Sequence, residues 1–334
     1  MVPSRQAGSD GQQPVISQRA IDAIESTDTD ELIRVIDGYC ETASWDELVE
    51  LRARCHEAVS RGKQVWGVDV LIRYRLALEA PGKFAGPVVS EGAARFALGP
   101  LAEVAASTKT WSEVRPFLTD GPERMTFASE RVVRGEEGIG PIADLPDQLM
   151  DWEPTYPVAK YKKDKVEAPS PMPPAGSETT LPDQVDRIDD AMSEGALADL
   201  VQPWTEQSNG QCETTSVEGK AGEAIRALGL TRARIEDLNT KEALAWMAWA
   251  GASGGAHGRR RGAAAGRYGA WWAVAALCDL DWPPDPDEVG AAASHLQWLW
   301  FDDGAPGTGW ALRLAIEDPA SGFSWAIAAV DAAD

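Results

Sequence analysis

Sulfur and imidazole are scarce in this chain. Its four cysteines, Cys40, Cys55, Cys212 and Cys278, are scattered without any C-x-x-C spacing, and its only histidines are His56, His257 and His295. The spacing suggests neither a zinc site nor a disulfide framework, and so few histidines leave an N/S metal site little to draw on. Positive charge is also short: 31 Lys and Arg stand against 53 Asp and Glu, for a net charge of −22. A phosphate-tracking surface needs a basic face, so nucleic acid and anionic membranes are disfavoured partners. Long apolar runs are missing. The longest, residues 268–280, has about a dozen apolar positions, where a membrane span needs roughly 18 or more. Residues 1–14 are polar with no apolar core of a signal peptide, and the expectation is a cytoplasmic protein with a disordered N-terminal tail. G-x-x-x-x-G-K-[ST] does not occur. Gly251-Ala-Ser-Gly-Gly255, which spells G-x-S-x-G, follows a helical pattern and not a strand, so it is not read as a nucleophile elbow and no catalytic residue, metal or cofactor is assigned.

Tryptophan, by contrast, is abundant: 14 copies against 5 tyrosines and 6 phenylalanines, nine of them after residue 240. The heaviest packing is expected there. The chain divides by pattern into a helical domain (15–137), a proline-rich linker (138–182) and an α+β domain (183–334), an α+β protein that is mainly α. In the first, apolar residues recur at helical spacing from Ile21 to Ile36, and Ser44-Trp-Asp-Glu47 and Thr110-Trp-Ser-Glu113 both read as capping boxes. Their recurrence suggests stacked helical hairpins, a short solenoid, with an irregular bundle as the alternative. Pro81, Pro87 and Pro100 read as breakers.

In the linker, nine prolines between Pro141 and Pro182 forbid sustained helix or an interior strand. It reads as a solvated, extended linker, or as a docking segment anchored by Trp152, Tyr156 and Tyr161. Pro169-Ser-Pro-Met-Pro-Pro174 has the composition of a polyproline ligand. In the last domain, residues 183–201 read as an acidic helix, residues 211–217 as a strand, and Asp285-Pro-Asp-Glu288 as the start of a helix ending near His295. Trp310, Leu312, Leu314 and Ile316 alternate with Ala311, Arg313, Ala315 and Glu317, and Phe323, Trp325 and Ile327 continue the alternation. With residues 296–301 these form a small three-stranded antiparallel meander packed on helices.

The candidate site is the stretch Gly251-Ala-Ser-Gly-Gly-Ala-His-Gly-Arg-Arg-Arg-Gly-Ala-Ala-Ala-Gly-Arg267. Gly254, Gly258, Gly262, Gly266 and Ala270 recur every four residues, which on a helix makes one small-residue stripe for close backbone approach. Arg259, Arg260 and Arg261 fall at the expected helix start, where they oppose the macrodipole. The carboxylates of residues 279–334 are the expected counter-charges. In the competing reading, these arginines, Arg267 and His257 line a pocket for a phosphate or carboxylate.

This run, followed by Trp271-Trp272 and the Glu317-Asp-Pro319 turn, resembles an uncharacterised protein family of high-GC bacteria. The resemblance covers roughly residues 220–334 and, more loosely, the helical half. It implies a shared architecture and no activity.

The leading expectation is therefore a non-enzymatic cytoplasmic interaction protein, an adaptor, inhibitor or assembly subunit. Its partner would be a protein, a basic one by charge complementarity, with homo-oligomerisation left open. The alternatives are binding or turnover of an anionic, phosphorylated small molecule at 251–267, and a structural subunit of a larger assembly.

Overall fold

A computed structural model describes residues 15–92, 97–304, 307 and 309–333; the expected disordered tail, 1–14, lies outside the described residues. The chain folds as an α+β protein, mainly α. Its first half is helical: α1 (Gln18–Ser26), α2 (Thr29–Glu41), α3 (Trp45–Ser60), α4 (Trp66–Glu79), α5 (Gly82–Ser90), α6 (Leu101–Ala106), α7 (Trp111–Val114) and α8 (Pro122–Val133). Local chemistry sets the ends. The Ser17 and Asp28 side chains accept backbone N–H bonds at the starts of α1 and α2. Pro81 halts α4 because the residue before a proline is pushed to extended backbone, as Ala80 is. The substantial contacts run between helices close together in chain order, α1 with α2 and α3, α2 with α4, α4 with α6, α6 with α8.

Three details differ from expectation. Thr110 does cap α7, accepting from the Glu113 N–H at 3.3 Å, but the helix is a single turn before Pro116 tightens the chain into a 3-10 turn. Ser44 precedes α3 without capping it; its hydroxyl bonds Thr42 instead. Pro87 sits inside α5 and breaks nothing.

The proline-rich segment carries β1 (Lys160–Tyr161), β2 (Val166–Glu167) and β3 (Ser177–Thr180). Then come α9 (Ala191–Asp199), α10 (Gln202–Gln207), β4 (Gln211–Glu218), α11 (Ala221–Ala227), β5 (Arg232–Leu238), α12 (Thr240–Ala252), α13 (Ala263–Leu277), α14 (Pro286–His295), β6 (Gln297–Asp302), β7 (Gly309–Asp318) and β8 (Phe323–Ala332). β1 and β2 form a small hairpin. The others make one antiparallel sheet in the order β3-β5-β6-β7-β8-β4. The meander read from the sequence is its centre, β6-β7-β8, in register from Trp298↔Ile316 and Ile316↔Trp325.

Alternation decides the layers. Leu312, Leu314, Ile316, Trp325 and Ile327 point into a core with α12, α13 and α14, whereas Ala315 and Ala326 face α11 on the other side. Alanine at those positions leaves room for a helix. β3 escapes sequence reading because Ser-Glu-Thr-Thr has no apolar alternation, and β5 because its alternation is brief, Ala233 and Ile235 among Arg, Glu and Asp. The acidic helix expected over 183–201 forms only from Ala191; upstream, Arg187 makes a bridge with Val217 and holds the chain extended.

Helices α12 and α13 meet through glycine. A Cβ on Gly266 would lie 2.0 Å from the Ala248 carbonyl oxygen, backbone that cannot step aside. Gly195, inside α9, faces open space. Gly266→Ala should therefore lower unfolding free energy by about 1–3 kcal/mol or more through overpacking. Gly195→Ala should be neutral or stabilising by up to ~1 kcal/mol. Urea denaturation of the two variants checks both, and equal effects would contradict the packing assigned to Gly266.

Candidate functional site

The structure breaks the Gly/Arg stretch differently from the expected loop and long helix. α12 runs to Ala252, residues 253–262 form a loop, and α13 starts only at Ala263 behind Gly262, whose φ is +101°. The three arginines thus precede the helix instead of opening it, and their conflict with the macrodipole disappears. Only Gly266 and Ala270 of the expected stripe lie on α13. Gly254 and Gly258 pack against each other within the loop, where a Cβ on Gly254 would sit 2.2 Å from the Gly258 carbonyl oxygen.

The start of α13 is met by acid, as helix dipoles favour. Glu103 of α6 accepts from the Ala263 N–H at 3.2 Å, and Glu130 of α8 accepts from the Ala264 N–H at 2.8 Å. Both side chains are fully buried. Arg260 answers Glu103 with two parallel bonds of 2.8 Å, and the Tyr161 hydroxyl donates a third at 2.6 Å. This is the fork geometry in which guanidinium and carboxylate pair best. Burial works to raise the Glu103 carboxyl, but the Arg260 guanidinium and these bonds outweigh it and hold the group below its ordinary range. Glu130 has no such fork. Its Oε2 has no hydrogen-bond partner among the described residues, and Arg134 Nη1 is 3.9 Å away. Burial, reinforced by the neighbouring Glu103 charge, pushes Glu130 up to about 7.

Arg267 makes a second clasp one helical turn into α13. It donates to both oxygens of Glu153 at 2.8 Å and to the carbonyls of Pro146 and Gln148 at 2.9 Å. Glu153 also accepts from Trp271 Nε1, the Tyr156 hydroxyl and the Met150 N–H. Every donor in this cluster finds an acceptor, which is what a buried ion pair requires. The proline-rich segment is accordingly docked within the chain: Tyr156 and Tyr161 are buried, and Trp152 lies 4.8 Å from the Trp271 ring centre.

Of the five candidate residues, then, Arg260 and Arg267 are committed to carboxylates. These come from positions 103 and 153, not from the C-terminal stretch 279–334. Arg261 donates to the Asp199 carbonyl at 3.0 Å. His257 and Arg259 remain exposed, held by their backbones: the His257 N–H bonds Ser208 Oγ and the Arg259 N–H bonds Gln207 Oε1. The loop amides that a phosphate cradle would need are largely spent, since Ala256 N–H also bonds Asp331 at 2.7 Å. His257, Arg259 and the edge of Arg260 border a cleft of about 620 Å³ between the helical half and the sheet half. Across from them lie Leu98, Leu101, Glu123 and Val166. Sequence reasoning missed Glu103, Glu130 and Glu153. The first had a signal, a single acid in the otherwise apolar run Leu101-Ala-Glu-Val-Ala-Ala106. Glu153, amid prolines and aromatics, had none.

The fold and seam define a two-part α+β protein whose halves are joined by buried carboxylate–guanidinium clasps. The chain belongs to a family of unknown function, DUF6183, which it matches over residues 30–333. No curated protein and no solved structure matches it.

Two measurements test the clasps. Arg267→Met leaves Glu153 buried without its guanidinium and should cost about 3–5 kcal/mol, with part of the loss restored by adding Glu153→Leu; an isolated loss near zero would contradict the assignment. The raised Glu130 means that the folded chain binds a proton more tightly than the unfolded one. Its contribution to stability is full below the unfolded value, near 4.5, and is lost as pH rises to about 7. Glu130→Gln should stabilise the chain above pH 7, by an amount on the order of 1–3 kcal/mol, and do little near pH 4.5. Melting curves across pH decide it.

Proposed function

We propose that this chain is a non-enzymatic cytoplasmic interaction protein, and that the seam cleft is where it receives a protein partner. One observation carries the reading: the charges that would make an anion pocket are consumed internally, and what is left at the cleft is a mixed surface. Arg260 and Arg267 are bonded to Glu103 and Glu153, and Arg261 donates to a carbonyl and lines a different cavity. At the seam cleft the phosphorylated-ligand alternative therefore retains only His257 and Arg259, both exposed. Leu98, 40% exposed, stands across the cleft from them with Glu123 and Leu101. Apolar side chains ringed by charge suit a polypeptide surface with a few anchors. The net charge of −22 adds long-range steering toward a basic partner. No described helix is long and apolar enough to cross a membrane.

The test is capture with the tagged chain at low and high salt, followed by the same capture with Leu98→Asp plus Arg259→Glu. The expected outcome is one stoichiometric partner, recovered less at high salt and at least about tenfold less by the double variant. A chain that stays monomeric and alone, or a partner indifferent to the double variant, overturns the cleft as its seat. Arg260→Ala is the control for the rival reading. It should lower the melting temperature without abolishing any stabilisation by inorganic phosphate, because Arg260 is a clasp and not a ligand.

A further inference from the structure

A second cavity shares no lining residue with the seam cleft. Its wall is tryptophan: Trp246 and Trp249 of α12, with ring centres 5.7 Å apart and planes at 90°, and Trp300 of β6. Its roof is the proline run singled out in the sequence. Pro171 and Pro174, three residues apart, are half-buried over the wall; Pro173 is more exposed but also borders the cavity, and Met172 is turned out, 89% exposed. That three-residue rhythm is the repeat of a polyproline II helix, which turns a proline inward at i and i+3. Gly176 brings the same strap down onto the wall, where a Cβ would come within 3.2 Å of Trp300 Cζ3. The prolines of 169–174 thus lie on an aromatic groove within their own chain, as proline-rich ligands lie on the aromatic grooves of recognition modules.

The seating is loose. About 410 Å³ stays open between strap and wall. Among the described residues, 168–176 make no hydrogen bond with the rest of the chain, so contact alone holds the strap. Arg313, 91% buried and lining the cavity, bonds Asp303 through Nη2 but leaves Nε without a partner. A buried donor left unpaired costs stability that an acceptor would restore. Polyproline backbone supplies such acceptors, because its carbonyls make no internal hydrogen bonds. The ion pair Arg234–Asp302 stands beside the groove to read a charged flank.

We propose that the Trp246–Trp249–Trp300 groove is a receptor for proline-rich peptides with prolines at i and i+3, and that residues 169–174 occupy it in cis until a better-matched segment of a partner displaces them. This goes beyond the seam cleft, and either can fail without the other.

The probe is a labelled synthetic peptide with the chain's own sequence over residues 167–178, followed by fluorescence anisotropy on the full chain. A tethered strap competes at millimolar effective concentration. Replacing residues 169–174 with Gly and Ser should therefore raise peptide affinity at least about tenfold over the unaltered chain. Adding Trp300→Ala should remove the binding, and a peptide with alanine for its prolines should not bind. Should the replaced chain not fold, Pro171→Ala and Pro174→Ala, one at a time, should each tighten peptide binding, and Met172→Ala, at the side chain turned away from the groove, should leave it unchanged. Equal affinity for unaltered and strap-free chains, binding of the alanine peptide, or the same response from all three single variants overturns the proposal.

Discussion

Two ion pairs without solvent, Arg260–Glu103 and Arg267–Glu153, hold together parts of the chain that sequence order keeps more than a hundred residues apart. A buried guanidinium or carboxylate left alone costs several kcal/mol, and pairing repays that cost only when nearly every donor and acceptor is matched. Here the matching extends outward. Tyr161 and the Ala263 N–H complete Glu103, while Trp271, Tyr156 and the Met150 N–H complete Glu153. The helical half, the proline-rich segment and α13 must therefore assemble in one register. Losing α13 and the loop before it would strand both carboxylates, and losing either acid-bearing part would strand one guanidinium.

The clasps also account for the glycines around them. Gly262 is forced to be glycine twice over, by its positive φ and by Glu130 Oε1, which would lie 2.6 Å from a Cβ there. Gly99 admits the Tyr161 ring on its way to Glu103. In both places a small residue exists so that a polar group from a distant element can reach its partner. Glu130 is the exception that exposes the logic. The helix-start N–H it accepts is not enough to keep a second carboxylate charged beside Glu103, so its proton stays on to near neutrality.

What the sequence made legible was whatever local pattern decides. The N-cap of α14 at Asp285, the centre of the sheet and the stop of α4 at Pro81 all follow from residues within a few positions of one another. β3 and β5 did not, because their pairing is made by backbone and their side chains are mostly polar. The arginines were the harder case. Their need for counter-charges followed from local electrostatics, and the acid-rich stretch 279–334 was the nearest supply. The acids that answer them are instead single residues, Glu103 and Glu153, whose burial depends on tertiary packing that no local pattern encodes. Within the Gly/Arg stretch, two of the five candidate residues, Arg260 and Arg267, are committed to these carboxylates.

The two clefts of this protein accordingly differ in kind. The seam cleft has a floor pinned by bidentate pairs and spent loop amides, so a partner entering it would meet a surface that is already organised and lose little to ordering. The tryptophan groove has the opposite construction: a rigid wall from α12 and β6 beneath a strap held by contact alone, with an unanswered donor at Arg313. Rigid seams transmit register, and loosely covered grooves invite exchange. The junction is fixed by buried charge, whereas the strap over residues 168–176 makes no hydrogen bond with the rest of the chain among the described residues, so exchange is expected at the strap before the seam.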